Sequence, residues 1–71
     1  MGKTVKRRVE MTAIMAGDGY TWNFWTNVEV DEDASDADVM GAAREAAMAA
    51  FDRDNVATSL VEPVFIEPLD E

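Results

Sequence analysis

The chain has 71 residues, with 15 acidic and 6 basic side chains, no histidine, no cysteine, 48% hydrophobic residues and a formal net charge of −9. This length supports one domain, near the lower limit for a self-supporting core. The missing cysteines exclude a disulfide staple and a thiolate metal site, and the missing histidines remove the commonest general base and metal ligand.

The hydrophobic fraction is that of a folded chain despite the charge. That charge is unevenly placed. Lys3, Lys6, Arg7 and Arg8 precede every acidic residue, and beyond them only Arg44 and Arg53 stand against the whole set of carboxylates. Such a surface repels nucleic acid and anionic membrane and attracts basic protein surfaces. No apolar run reaches the ~20 residues of a bilayer span, and the basic start leads into Val9-Glu10-Met11-Thr12 rather than an apolar signal core. Gly2 follows Met1, but Lys6 occupies the position where myristoylation needs Ser or Thr. A soluble, cytoplasmic protein is expected.

Residues 4–15 alternate with the two-residue period of a half-buried strand: Val5, Arg7, Val9, Met11, Ala13 and Met15 share one face. Residues 20–30 alternate too, with Tyr20, Trp22, Phe24, Thr26, Val28 and Val30 opposite Thr21, Asn23, Trp25, Asn27 and Glu29. Ala16-Gly17-Asp18-Gly19 between them reads as a hairpin turn. Closure there sets Met15 opposite Tyr20, Met11 opposite Phe24 and Val5 opposite Val30, with Arg7 against Val28 the one mismatch. On the other face Lys6 meets Glu29. A slip of one residue would lose every match.

Ser35 is a good helix N-cap, and Asp36 and Asp38 fall in the first turn, where the helix dipole favours anions. The helix is predicted over 36–53, with Val39, Met40, Ala43, Ala46, Ala47, Ala50 and Phe51 as its apolar stripe. Alanines permit a close approach to the sheet, and Trp22 and Phe24 are expected to fill the space they leave. Asp54-Asn55 ends the helix. A third strand is predicted over about 56–66. Pro63 makes it an edge strand or a bent one, followed by a short acidic tail over 67–71. The order is ββαβ, an α+β fold of one domain over 1–71. A right-handed crossover puts the third strand parallel to the second, most simply on the far side of the first.

No motif names a reaction. Counted from Asp31, the acidic run has Asp36 where a calcium loop needs glycine and Ala42 where it needs glutamate, so helix capping explains it better. Gly17-Asp18-Gly19 is too short for a phosphate loop. Paired carboxylates on solvated loops lack the burial that catalysis requires. No enzyme, cofactor or metal is expected. The basic residues near the start do not continue as a stripe, so direct nucleic-acid binding is not expected either. They read as protection of a sheet edge or as a counterweight to the acids.

Trp25 stands out because it lies on the polar face of its strand. Ile14 shares that face, as Phe65 would if the third strand aligns. An isolated tryptophan there is a candidate hot spot, to be covered by a foreign protein, a second copy or the C-terminal arm. The expected contact residues are Trp25, Ile14, Asn23 and Asn27, with Asp31, Glu32, Asp33 and Asp36 as an electrostatic rim. The implied function is a non-enzymatic interaction module for a protein with a basic surface. In size, acidity and lack of catalytic groups the chain resembles the DNA-mimic inhibitors carried by phages and mobile elements, which occupy nucleic-acid-binding surfaces. The alternative is a small homodimeric structural subunit whose few lysines and many aspartates are an adaptation to salt or to solubility.

Overall fold

A computed structural model describes residues 2–68. The elements run β1 (Thr4–Met15), β2 (Thr21–Asp31), α1 (Asp36–Arg53) and β3 (Thr58–Ile66). They form a three-stranded sheet in the order β2-β1-β3, with α1 against one face. Both outer strands are antiparallel to β1, so β3 runs parallel to β2 on the far side of β1, the placement expected. Of the expected tail over 67–71, residues 69–71 lie outside the described segment, and Glu67 is not a free tail residue: its N–H donates to the Arg8 carbonyl of β1 at 2.8 Å.

The hairpin register is the one that the alternation demands, from Thr4 opposite Asp31 to Ile14 opposite Thr21 without a shift. Its turn is held by Met15 N–H donating to the Tyr20 carbonyl (2.8 Å) and by Tyr20 N–H donating to Asp18 Oδ1 (2.9 Å). Gly17 and Gly19 have φ of 97° and 71°, a region that residues with a Cβ rarely adopt. Lys6 and Glu29 are ladder partners, but their charged groups do not come within ion-pair distance.

The helix begins and ends on identifiable caps. Ser35 Oγ accepts from Asp38 N–H at 3.1 Å. At the other end Asn55 adopts φ 59°, its N–H donates to the Asp52 carbonyl, and Val56 N–H donates to the Phe51 carbonyl. That pair of bonds is a Schellman motif with asparagine in the left-handed position. Val56 therefore belongs to the cap, and β3 starts at Thr58 rather than at 56.

The core comprises Val9, Met11, Ala13, Val28, Val39, Ala43, Ala47, Phe51 and Val61. The helix contributes residues four apart, a ridge inclined to its own axis. Ala46 lies off that ridge and is exposed, while Met40 and Ala50 are half-buried; the expected stripe is thus narrower than seven residues. Met11 is fully buried in this core; Phe24 packs half-buried against it and lines a groove with Trp22, Ala47 and Ala50, while Trp22 remains 46% exposed at the sheet rim. There Trp22, Phe24 and Phe51 form an aromatic trio with centroid separations of 5.2 to 5.9 Å. Arg7, the mismatch on the inner face, is half-buried and donates from Nη2 to the Glu67 carbonyl at 3.4 Å.

β3 carries two irregularities, between Glu10/Met11 and between Ile14/Met15 of its partner strand. Each places an extra residue on β3, Val64 beside Pro63 and Ser59 beside Thr58. Ser59 Oγ donates to the Ile14 carbonyl at the second (3.3 Å), and Arg44 reaches from the helix to donate to the Val61 carbonyl (3.2 Å). Among the described residues no helix is long and apolar enough to cross a membrane.

Candidate protein-binding face

Among the described residues no element covers the sheet face turned away from α1. The strand period brings the outward residues into rows, and the middle row is Trp25 on β2, Glu10 on β1 and Phe65 on β3. The Phe65 ring meets Trp25 edge-on with centroids 6.4 Å apart. The Arg8 guanidinium sits over the indole, 4.4 Å from the ring centroid. Arg8 Nη1 also meets Glu67 Oε1 at 3.4 Å. Trp25 thus contacts both a cation and an aromatic ring while 41% of its surface remains exposed.

Ile14 and Leu60 are ladder partners farther along the same face, and Thr12 Oγ1 donates to Asn23 Oδ1 at 2.7 Å. Asn23 and Asn27 flank Trp25 along β2, and both are exposed. The structure thus brings Trp25, Ile14, Asn23 and Asn27 together. It separates them from most of the acidic rim. Asp31 lies at the end of this face, six positions and about 20 Å along the strand from Trp25. Glu32 is in the loop beyond, its N–H donating to the Lys3 carbonyl at 2.9 Å. Asp33 lines a cleft with Val30, Asp31, Ala34 and Asp38. Asp36 begins the helix.

The charge differs between the two sides. The open face mixes Lys6 and Arg8 with Glu10, Glu29 and Glu62, whereas the solvent side of α1 carries Asp36, Asp38, Glu45 and Asp52 against Arg44 and Arg53. Among the described residues only Glu67 and Asp54 reach a cation, Arg8 and Arg53 respectively, within ion-pair distance. No group of three acidic side chains converges as a cation site among them.

Sequence reasoning read Arg8 as edge protection or as a counterweight to the acids, and so missed its place over Trp25. The register contains the signal: Trp25 pairs with Glu10, and Arg8 is the diagonal neighbour on the same face, within reach of a long side chain. No protein-family model matches the chain, and no curated protein or solved structure matches it.

Proposed function

We propose that this protein acts by binding, without catalysis, and that its partner is a protein with a basic surface. The observation that carries the reading is the uncompensated carboxylate field: apart from Glu67 and Asp54, the acids of the described residues have no cation within ion-pair distance. Charges left free in this way attract a cationic surface over a Debye length of about 8 Å at physiological salt and raise the encounter rate. The exposed, pre-oriented Trp25 supplies what charge lacks, a desolvated anchor.

A cationic surface that already binds nucleic acid is the most favourable target, because carboxylates then replace phosphates. In that form the protein is an inhibitor of the DNA-mimic type, such as a phage or mobile element would carry. The test is a pull-down with the wild-type chain beside two variants, Trp25→Ala and Asp31→Lys/Glu32→Lys/Asp33→Lys. Proteins retained by the wild type and lost by both variants are then challenged with duplex DNA. Competition by DNA supports the reading. Equal retention by all three baits, or indifference to DNA, overturns it.

A further inference from the structure

We infer that the free edge of β2 pairs antiparallel with the β2 edge of a second copy, joining two sheets into one of six strands. The two edges of the sheet are not alike. β3 is blunted by Pro63 and by two irregularities, the usual means of preventing edge pairing. β2 is eleven residues long and contains no proline, no irregularity and no lysine.

The backbone shows which groups that edge presents. Met15 N–H donates to the Tyr20 carbonyl at one end of the hairpin, and Glu32 N–H donates to the Lys3 carbonyl at the other. With no shift between them, the even-numbered residues of β2 turn their peptide groups towards β1. Thr21, Asn23, Trp25, Asn27 and Glu29 therefore turn theirs outward. The Asp31 carbonyl is already taken by Ala34 N–H, so the free run is Thr21–Glu29, and its centre is Trp25.

A two-fold axis at Trp25 gives a self-complementary ladder. On the outer face Trp25 meets Trp25 of the second copy, Asn23 meets Asn27, and Glu29 meets the uncharged Thr21. On the inner face Trp22 meets Val28 and Tyr20 meets Val30. These pairings cover Tyr20, Trp22 and Trp25, which are 64%, 46% and 41% exposed in the single chain. They also cover an apolar groove of about 270 Å3 between β2 and the helix, lined by Trp22, Phe24, Ala47, Phe51 and Val56. A parallel pairing in the same register would set Glu29 against Glu29, so charge selects the antiparallel one. The inference rests on the backbone edge and not on the acidic surface, although both readings use Trp25.

The test is the solution mass of the full chain by sedimentation, with Asn27→Pro beside it. The Asn27 N–H points away from β1, so proline there spares the hairpin and removes a donor from the new ladder. The wild type is expected to approach twice its 7.8 kDa chain mass. Its association should tighten as salt rises, because two copies of net charge −9 repel. The proline variant is expected to be monomeric with unchanged circular dichroism. Should it fail to fold, Asn23→Asp/Asn27→Asp sets like charges opposite each other twice and should also give a monomer. A mixed labelled and unlabelled dimer should show Asn23–Asn27 contacts between copies. A wild type that is monomeric up to about 1 mM, the weak end of specific affinity, overturns the inference. So does a dimer that survives both variants or lacks those contacts.

Discussion

The Arg8 guanidinium lies 4.4 Å from the centre of the Trp25 ring although the two residues are not opposite each other in the ladder. The contact is diagonal, and it fixes the one large aromatic ring that β2 presents on the open face. Glu67 holds the same guanidinium from the β3 side, so three segments of the chain converge on this ring.

Removing Arg8 should release that ring. In a Trp22→Phe background, Arg8→Ala is expected to increase quenching of Trp25 fluorescence by acrylamide. The cost in stability is about 0.5–1 kcal/mol, the range for an exposed cation–π contact. Unchanged quenching would mean that the stacking does not persist in solution.

Met11 is the largest fully buried side chain. Met11→Ala should cost about 2–5 kcal/mol through lost burial and the cavity left under the helix alanines. For a domain of this size, that is a large share of the whole stability. A thermal melt followed by circular dichroism should show a midpoint lowered by roughly 4–8 °C per kcal/mol, or no cooperative transition.

Two glycines should respond in opposite directions. Gly41 is exposed within the helix, and an added Cβ would meet nothing within 4 Å. Gly41→Ala is expected to stabilise the protein by up to about 1 kcal/mol. Gly17 has equally open surroundings but a φ of 97°, so Gly17→Ala should destabilise it. The two denaturation midpoints, read in urea, check the pair together.

Salt should raise stability. The free carboxylates repel one another, and that repulsion is screened as the Debye length falls from about 30 Å at 0.01 M to about 3 Å at 1 M. The melting temperature is expected to climb smoothly from a chain already folded at low salt. A chain that folds only in molar KCl would instead make its acidity an adaptation to salt, and the proposed basic partner would lose its main support.

The hairpin was legible in the sequence because two independent signals agree on it. The glycines of the turn and the alternation of both strands require the same register, and Met11 opposite Phe24 is found where they place it. Ser35 and Asn55 likewise marked the helix ends through local hydrogen bonds that depend on little else. The extra residues Ser59 and Val64 were not legible, because which residue of an edge strand drops out of pairing is decided by the strand beside it. Ala46 was misplaced for a related reason. A helical wheel gives the width of an apolar arc but not the angle at which the helix crosses the sheet. On the open face, Trp25 and Ile14 followed from parity alone. The cation over the ring required the diagonal geometry of the folded ladder.

Among the described elements the central strand is also the first to be made. During synthesis β1 and β2 can close as a hairpin as soon as Asp31 has appeared, but the inner row of Val9, Met11 and Ala13 then stays wet until α1 follows. The second side of β1 stays unpaired for longer still, until Thr58–Ile66 arrives from far along the chain. The nascent protein thus passes through a stage in which an apolar ribbon has both edges open. Only the last element in the order converts it into a domain with one blunted edge.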